Sequence, residues 1–346
     1  MNIFVAGGAG FIGTNYIRYM LTRYQDVSIT NFDYLTYAGN LKNLMDVESD
    51  PRYRFVRGDI ADIGTVDENL SEKVDVVVNF AAESHVDRSI EDPTLFARTN
   101  VLGTGVLLHV ARSKKIPRFV QISTDEVYGS LGKAGYFTES TPLAPNSPYA
   151  ASKASADLIA RAFFKTYGYQ VIITRCSNNY GPYQFPEKLI PLFVTNALED
   201  KPLPLYGDGL NIRDWIYVTD HCEAIDMVAR NGIPGEVYNI GGEEEKANID
   251  ITRSILDLLG KPHSLIKYVA DRPGHDRRYA MDISKINKEL GFTPKTNFND
   301  GLRSTIAWYR ENDSWWRDVK SGEYIQYYQK IYGKKLEKEE GPHTRG

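Results

Sequence analysis

Two short segments of the chain place residues capable of acid–base chemistry at regular spacings. In the first, Tyr149-Ala150-Ala151-Ser152-Lys153, a tyrosine and a lysine stand four residues apart at the start of a predicted helix. Residues at this spacing lie on one face, where a lysine ammonium stabilises a phenolate and lowers the pKa of the tyrosine. Tyr149 could then act as a base near neutral pH. Taken alone, the spacing is more typical of an ordinary amphipathic helix, and it gains weight only beside a cofactor site.

The second segment holds two adjacent carboxylates after a predicted strand, Phe119–Ser123. Thr124 follows the strand directly, and its hydroxyl could bind a substrate oxygen beside a catalytic tyrosine. Asp125 and Glu126 come next, and paired acids suit a reaction that needs both an acid and a base, provided that their surroundings separate their pKa values. A solvated acidic loop or a helix N-cap is the ordinary alternative for such a pair.

A glycine-rich turn near the N-terminus has the order that a dinucleotide site needs. The heptapeptide GGAGFIG at residues 7–13 follows a predicted strand and opens a predicted helix. Glycines let the backbone approach a pyrophosphate, and the helix N-terminus offers it unpaired N–H groups. Asp33 ends the next predicted strand, where a carboxylate binds the ribose hydroxyl and repels a 2′-phosphate, so NAD is favoured over NADP. Asp59 and Ile60, after the third strand, are candidates for the adenine edge.

Alternating strand and helix patterns must position these residues. Short runs rich in Val, Ile and Phe predict strands at Asn2–Ala6, Ser28–Phe32, Tyr53–Arg57, Val74–Phe80, Phe119–Ser123 and Val171–Arg175. Helical patterns lie between them, notably at Gly13–Tyr24, Asn100–Lys114 and Tyr149–Tyr167. This alternation is typical of an α/β protein with a Rossmann-type, doubly wound parallel sheet, in which the carboxyl ends of the strands open into the active-site crevice.

The sequence pattern changes near residue 180, where prolines and predicted loops become frequent. Shorter elements follow, predicted at Leu203–Tyr206, Val237–Ile240, Ile249–Leu259, Ser284–Leu290 and Phe298–Asn312. We therefore predict a NAD-binding domain over residues 1–180, to which some later segments return. A smaller C-terminal α/β domain for the substrate is predicted over residues 181–330, followed by a polar tail at 331–346.

Composition narrows the class of protein further. The net charge of −4 gives no electrostatic reason to expect nucleic acid or a membrane surface as a partner. The cysteines, Cys176 and Cys222, have no metal-ligand spacing, so we expect a reducing compartment, no disulfide and no metal site. No leader peptide or apolar run of transmembrane length is recognisable, and the cytoplasm is the predicted location.

Several further stretches make the chain resemble a known family. They are DYLTYAGN at 33–40, AAESHVDRS at 81–89, STDEVYG at 123–129, CSNNYGP at 176–182 and RPGHD at 272–276. On these stretches, and in its glycine spacing, the chain resembles the extended short-chain dehydrogenases over roughly residues 1 to 320. Within that family it is similar to the dTDP-glucose 4,6-dehydratases, which carry Thr-Asp-Glu before Tyr-Gly. The UDP-galactose epimerases lack this acid pair.

The resemblance implies an internal redox cycle on dTDP-glucose that regenerates NAD and yields a 4-keto-6-deoxy sugar and water. Tyr149 is expected to take the proton of the sugar 4-hydroxyl, with Thr124 positioning that oxygen. Lys153 is expected to hold the nicotinamide ribose. Glu126 is the expected base at C5, and Asp125, held protonated, is the expected acid for the departing 6-hydroxyl.

The same resemblance implies the residues of the two ligand sites. Expected NAD contacts are Gly7, Gly10, Phe11, Ile12, Gly13, Asp33, Tyr34, Leu35, Thr36, Asp59, Ile60, Phe80, Ala81, Ala82, Ser84, Thr99, Ser123, Tyr149, Lys153, Cys176 and Asn179. Expected nucleotide-sugar contacts are Ser84, His85, Thr124, Asn178, Lys188, Leu189, Pro204, Tyr206, Arg213, Asn248, Arg272 and His275. By their own chemistry, the two arginines can clamp phosphates and Tyr206 can stack on a base.

Other residues that attract attention are predicted to be structural. His221 and His263 have no motif around them, and Trp308, Trp315 and Trp316 lie at helical spacing typical of packing. Relatives are usually dimers, so the predicted helices at 100–114 and 149–167 are expected to form a homodimer interface.

Three alternative functions stay open. The first is an NAD-dependent 4-epimerase or decarboxylase of nucleotide sugars, against which the acid pair argues because an epimerase eliminates nothing. The second is a non-catalytic NAD-binding regulator on the same fold, against which Thr124, Tyr149 and Lys153 argue. The third is the same dehydration on a UDP-, CDP- or GDP-linked sugar, because the preference for dTDP rests on the resemblance alone.

Overall fold

The computed structural model of the chain describes residues 1–337. Its strands are β1 (Asn2–Ala6), β2 (Ser28–Asp33), β3 (Tyr53–Arg57), β4 (Val76–Asn79), β5 (Arg118–Thr124), β6 (Val171–Cys176), β7 (Asn178–Tyr180), β8 (Leu203–Tyr206), β9 (Ile212–Tyr217), β10 (Val237–Ile240), β11 (Glu245–Ala247) and β12 (Ile266–Val269). Its α-helices are α1 (Phe11–Arg23), α2 (Ile63–Asn69), α3 (Val86–Glu91), α4 (Pro93–Phe96), α5 (Thr104–Ser113), α6 (Pro148–Tyr167), α7 (Leu189–Leu198), α8 (Val218–Asn231), α9 (Asn248–Leu259), α10 (Ser284–Leu290), α11 (Phe298–Glu311), α12 (Asp313–Val319), α13 (Glu323–Tyr328) and α14 (Lys334–Glu337). Short 3-10 turns lie at Leu41–Leu44, Asp125–Tyr128 and His263–Leu265, and wider π-type turns lie at Ala97–Gly103 and Gln329–Gly333.

Seven parallel strands form the central sheet, in the order β10-β6-β5-β4-β1-β2-β3. The chain winds outward from β1 to β3 and then returns to β4 on the other side. This reversal opens a crevice between the carboxyl ends of β1 and β4, where doubly wound sheets bind their ligands. The predicted Rossmann-type sheet is confirmed.

Helices cover both faces of this sheet. On one face, α1, α8 and α10 bury residues such as Tyr16, Ile225 and Ile286 against the strands. On the other face, α2, α5 and α6 bury a second apolar layer that includes Leu107 and Ala160. Strands that are apolar on both sides suit this arrangement, since each face needs a partner layer.

A smaller unit lies beyond the carboxyl edge of the sheet. It contains the three-stranded sheet β11-β9-β7 and the two-stranded sheet β12-β8. Helices α7, α9, α11 and α12 enclose its own core, which includes Tyr180, Phe193, Ile255, Leu302 and Trp316. Because β7 follows β6 almost directly, the small unit is attached at the edge where β5 and β6 end.

The structure differs from the sequence-based division in two places. The strand Val237–Ile240 was expected in the smaller domain, but it pairs with β6 and extends the central sheet. The predicted polar tail is helical as far as Glu337, and its Tyr332 is buried in the core of the small unit. The rest of the expected tail, residues 338–346, lies outside the described residues. The two-domain division itself stays a prediction, with α8, β10 and α10 returning to the first core.

Within residues 1–337, none of the helices has the length and apolar character needed to cross a bilayer. Both cysteines are buried and unbonded. No arrangement of three or more His, Cys, Asp or Glu side chains suited to a metal ion occurs in the same residues.

Candidate active site

A cleft of about 430 Å³ lies between the carboxyl edge of the central sheet and the smaller unit. This volume is in the range of small-molecule sites. Every residue predicted for catalysis, cofactor or substrate lines the cleft except Leu35. The sequence motifs are therefore brought to one place from both units.

The turn after β1 is crowded in a way that only glycine tolerates. Gly7 has a φ of 79°, and a Cβ there would lie 2.5 Å from the backbone nitrogen of Ala81. A Cβ on Gly13 would lie 2.3 Å from the carbonyl oxygen of Gly7. Gly10 begins α1 without a side-chain cap, which leaves its first N–H groups to a ligand. The residues present therefore fit a dinucleotide pyrophosphate at this helix terminus.

Asp33 lies at the end of β2, beside the glycine turn. Its carboxylate accepts the N–H of Ala9 at 2.9 Å and the N–H of Leu35 at 2.8 Å, and burial raises its pKa. Leu35 was predicted to contact the cofactor, but it does not line the cleft. Its φ of 58° turns its amide towards Asp33, so it supports the carboxylate instead.

Asp59 faces the same end of the cleft from the loop after β3. One of its carboxylate oxygens accepts the N–H of Ala61 at 2.8 Å, and the other lies 2.7 Å from a guanidinium nitrogen of Arg98. Sequence reasoning missed Arg98, which lines the cleft but belongs to none of the recognised motifs.

Helix α6 presents Tyr149 and Lys153 to the cleft from its first two turns. The helix begins at Pro148, and the Ser147 hydroxyl caps it by accepting the N–H of Ala150 at 3.1 Å. Lys153 Nζ donates to the carbonyl oxygen of Ile122 in β5 at 2.6 Å, which ties the helix to the sheet.

The predicted effect of Lys153 on Tyr149 is not what the structure shows. The pKa of Tyr149 is raised well above its ordinary value, first by burial and then by the charge of Glu126. A hydrogen bond with Thr124 acts in the opposite direction but is outweighed. Burial also lowers the pKa of Lys153, against the influence of Asp157. The sequence spacing therefore brings Tyr149 and Lys153 to the same cleft, whereas the direction of their pKa shifts is set mainly by burial.

The acid pair is not a solvated loop. Asp125 is 1% exposed, and Thr124 Oγ1 donates to its Oδ1 at 3.1 Å. Its Oδ2 is buried and finds no partner among residues 1–337. Burial raises the pKa of Asp125 well above its usual range, and the neighbouring Glu126 raises it further. Glu126 also has a raised pKa from burial, but Arg272, Lys188 and Arg213 oppose that rise.

Three cations line the substrate half of the cleft. Arg213 is buried, and the central carbon of its planar guanidinium lies 4.3 Å from the centroid of the Tyr279 ring. Its Nη2 donates to the Asp276 carbonyl at 2.8 Å. Arg272 lies 3.5 Å from Asp87, and its Nε has no partner in the described chain. Lys188 Nζ donates to the Ser84 carbonyl at 2.6 Å. Within the described chain, the Arg272 Nε is a donor without a partner, and buried or partly buried cations of this kind are suited to an anion such as a diphosphate.

Tyr206, which was predicted to stack on a base, lines the cleft. The Tyr206 hydroxyl donates to Asp87 at 3.2 Å, and its ring packs against His275 and Tyr332, with centroids 6.1 and 6.0 Å away. His275 Nδ1 lies 2.6 Å from Asp271, and burial lowers the pKa of His275 to about 4. The imidazole is therefore neutral near pH 7, when it can hydrogen-bond but carries no charge.

Several cleft residues were not predicted. They include Glu83, Asp87, Arg98, Phe185, Glu187, Tyr279 and Tyr332. Glu83 and Asp87 lie inside the quoted AAESHVDRS stretch, and Glu187 directly precedes Lys188, so their positions beside motif residues were a usable signal. Tyr332 was missed because it lies in the segment expected to be a tail, although it continues the four-residue spacing of Tyr324 and Tyr328.

The residues predicted to be structural behave accordingly. His221 is fully buried, and its Nδ1 lies 2.8 Å from the Asn179 side-chain oxygen. Trp308 and Trp315 pack edge to face with centroids 5.0 Å apart, and Trp316 is buried in the core of the small unit.

Comparisons with known proteins agree with this site. A family model described as GDP-mannose 4,6 dehydratase matches residues 4–305. A dTDP-glucose 4,6-dehydratase from Streptomyces antibioticus is 53% identical over 325 residues, covering 92% of this chain and 96% of the relative. The crystal structure of DesIV, a dTDP-glucose 4,6-dehydratase from Streptomyces venezuelae with NAD and dTDP bound, has a TM-score of 0.90 and 54% identity over 92% of this chain and 100% of that chain. That of a Bacillus anthracis dTDP-glucose 4,6-dehydratase in complex with NAD has a TM-score of 0.87 and 56% identity, with the same coverage of 92% and 100%.

Proposed function

The chain belongs to the family of dTDP-glucose 4,6-dehydratases, and from this membership we propose that it converts dTDP-glucose into dTDP-4-keto-6-deoxy-glucose and water. The observation that carries the proposal is the pair of carboxyl groups, buried Asp125 and partly buried Glu126, in the same cleft as Tyr149. Oxidation and reduction of one hydroxyl need a single base. A second base and an acid are needed only if a group is also eliminated.

In the oxidation step, Tyr149 accepts the proton of the sugar 4-hydroxyl, and Thr124 bonds to the same oxygen. When bound, NAD would supply the acceptor and later donor of the hydride, together with a positive charge of the kind that lowers a phenol pKa. Lys153, whose Nζ bonds to the Ile122 carbonyl in β5, lies four residues after Tyr149 on α6 and would hold the ribose hydroxyls of NAD.

In the elimination step, the new 4-ketone acidifies the C5 hydrogen, and Glu126 removes it. Asp125 donates a proton to the departing 6-hydroxyl, so the products are water and an unsaturated ketone that is then reduced at C6. The raised pKa of Asp125 keeps it protonated for this role, whereas the three cations beside Glu126 favour its ionised form. The two groups titrate as a coupled pair.

The chain's own residues account for binding of both ligands. Gly7, Gly13 and the first turn of α1 hold the NAD pyrophosphate, and Asp33 bonds to the adenosine ribose. Arg213 and Arg272 neutralise the diphosphate of the nucleotide sugar.

The alternative functions fit this site less well. A 4-epimerase would gain nothing from Asp125, because no group leaves during epimerisation. A regulator would need neither Tyr149 nor the acid pair, each of which is costly to bury. The choice of thymine over another base is supported by relatives about 50% identical to this chain, which are named dTDP-glucose 4,6-dehydratases.

We further propose that two copies of the chain associate through α5 and α6. Leu158 and Tyr167 on α6 and Leu102 just before α5 are each more than half exposed, which is unusual for large apolar side chains on neighbouring helices. Analytical ultracentrifugation should then give a species of twice the chain mass, and Leu158→Asp should shift it towards the monomer.

The cytoplasm is the proposed location, since NAD and nucleotide-activated sugars are cytoplasmic metabolites; cell fractionation tests this.

The activity is tested by incubating the purified protein with dTDP-glucose, first without and then with added NAD, and following the nucleotide sugar by mass spectrometry. Loss of one water without net NADH is the expected result. A parallel incubation with UDP-glucose measures the preference for the base. If the mass stays unchanged with NAD present, the dehydratase proposal fails, and a product of unchanged mass but altered configuration would identify an epimerase.

A further inference from the structure

A buried arginine beneath the active site joins the two elements that carry catalytic residues. Arg175 lies in β6, and its Nε donates to Asp157 Oδ2 at 2.9 Å. Its Nη1 donates to the Tyr128 hydroxyl at 2.9 Å. The three residues are 6%, 1% and 3% exposed, so water does not compete for these bonds. None of them lines the cleft.

The two partners of Arg175 belong to different parts of the catalytic machinery. Asp157 lies on α6, four residues after Lys153 and eight after Tyr149, on the same face of that helix. Tyr128 is the last residue of the 3-10 turn that begins with Asp125 and includes the second carboxylate. The guanidinium therefore connects α6, which carries the residues for oxidation, to the turn at Asp125–Tyr128, which carries the residues for elimination.

Tyr128 is itself fixed on its remaining sides. Its hydroxyl donates to Asn239 Oδ1 at 2.7 Å, and its ring stacks on Phe137 with centroids 4.9 Å apart. The start of the turn is held by β5, in which Thr124 pairs with Cys176. The carboxylates thus lie on a turn with one end in the sheet and the other end on Arg175.

A buried ion pair is seldom needed for stability, because desolvation offsets most of its attraction. A planar guanidinium, however, bonds two partners in fixed directions, which a lysine or an apolar side chain cannot do. The placement of Arg175 between two catalytic elements is therefore expected to fix their relative positions rather than to stabilise the fold.

We propose that Arg175 is a positioning residue, which sets the turn carrying Asp125 and Glu126 at a fixed distance from Tyr149 on α6. This inference rests on the proposed dehydration. Oxidation depends on Tyr149, whereas elimination depends on the turn. Loosening the turn should therefore slow elimination much more than oxidation, by about 10- to 100-fold, because misplacement of a reacting group by about 1 Å costs about 10²-fold.

The sharpest variant is Tyr128→Phe. It removes the hydroxyl that accepts the Arg175 bond and donates to Asn239, and it keeps both the Asp157–Arg175 ion pair and the stacked ring. The matched control is Tyr169→Phe, because the Tyr169 hydroxyl is also buried but has no hydrogen-bond partner in the described part of the chain. Arg175→Lys is a second test, since a lysine keeps the charge opposite Asp157 but loses the two-way bond.

Rapid-quench mass spectrometry of the holoenzyme with dTDP-glucose resolves the oxidised sugar from the dehydrated sugar, while absorbance follows bound NADH. Thermal unfolding and titration with dTDP report folding and binding separately. In Tyr128→Phe and Arg175→Lys we expect the oxidised, undehydrated sugar and NADH to accumulate, with dTDP affinity unchanged. Tyr169→Phe should behave as the parent protein.

Two results would overturn the proposal. One is dehydration by Tyr128→Phe at the parent rate with no accumulated NADH. The other is an equal slowing of oxidation and elimination together with a lowered melting temperature, which would mean that Arg175 has only a structural role. If the parent protein itself formed no dehydrated sugar, the proposed function would fail instead, so the two failures are distinguishable.

Discussion

Replacing Asp125 by asparagine changes one property of the site that matters for elimination. The amide has nearly the same shape and can still accept the bond from Thr124 Oγ1, which is 3.1 Å long in the parent protein. It has no acidic proton to give to the leaving 6-hydroxyl. Because Asp125 is 1% exposed, no water takes over that role from the other side. Elimination should therefore fail while oxidation at C4 continues.

The size of the effect follows from the chemistry and the burial. A positioned general acid contributes about 10² to 10⁴ in rate, which corresponds to about 3 to 5 kcal/mol in the barrier.

The change should also stabilise the fold near neutral pH. Since the pKa of Asp125 is raised in the folded protein, the native state binds that proton more tightly than the unfolded chain does. The stability gained in this way is present in acid and is lost as pH rises through the folded pKa.

The assay combines single-turnover kinetics with thermal unfolding across pH. Asp125→Asn should accumulate the oxidised sugar and bound NADH, yield product about 10²- to 10⁴-fold more slowly, and melt at a higher temperature than the parent protein above neutral pH. Asp214→Asn is the matched control, since Asp214 is also a buried carboxyl with a raised pKa but does not line the active-site cleft. Formation of product by Asp125→Asn at the parent rate would refute the assignment.

Three further perturbations test other parts of the structure. Gly7→Ala should abolish NAD binding and cost about 1–3 kcal/mol or more in urea unfolding, because φ is 79° and the new Cβ meets backbone at 2.5 Å; Gly132→Ala, with nothing within 4 Å of its Cβ, should do neither. Burial raises the pKa of Asp214 from 3.8 to about 6, so its contribution of about 3 kcal/mol is present below pH 3.8 and lost as pH rises through 6. Asp214→Asn should remove that part of the pH dependence of the melting temperature, and an unchanged profile would contradict it. Burial raises the pKa of Cys176 to about 12, so iodoacetamide near neutral pH should leave activity intact; rapid inactivation traced to Cys176 by peptide mapping would contradict this.

The sequence was informative where local pattern and tertiary role coincide. Central parallel strands are buried on both faces, so β1 could be bounded correctly from its apolar residues alone. The bounds of β3 were also predicted correctly, although it is an edge strand with no fully buried residue. The strand Val237–Ile240 was found but was placed with the smaller domain, whereas it pairs with β6 of the central sheet, because a four-residue apolar run does not specify its neighbour. That choice is made by α8, which crosses to the face of the central sheet and delivers β10 beside β6.

The C-terminal error has a different cause. Lysine and glutamate dominate the composition after residue 333, and a tail was therefore predicted from residue 331. That boundary separated Tyr332 from Tyr324 and Tyr328, with which it shares the helical spacing of four. Their rings lie 6.3 and 5.1 Å apart in sequence order and pack towards the small unit. Periodicity therefore held the signal that composition obscured.

In the active site, motifs located the residues, but only the structure gives their protonation. The Tyr149–Lys153 spacing predicted a lowered tyrosine pKa, and burial reverses the sign. For Asp125 the predicted direction was right, since burial and the adjacent Glu126 act together. The difference is that Glu126 is adjacent to Asp125 in sequence and stays near it in any fold, whereas the depth of a residue depends on the whole fold.

The cations proposed to hold the diphosphate also act on the catalytic base. Arg272, Lys188 and Arg213 are the charges that oppose the raised pKa of Glu126. Substrate recognition and base strength therefore depend on one set of charges. Removing a positive charge from this set weakens diphosphate binding and, at the same time, raises the pKa of Glu126 further. A change in KM caused by such a substitution cannot then be attributed to binding alone, and the pH dependence of kcat is needed to separate the two effects.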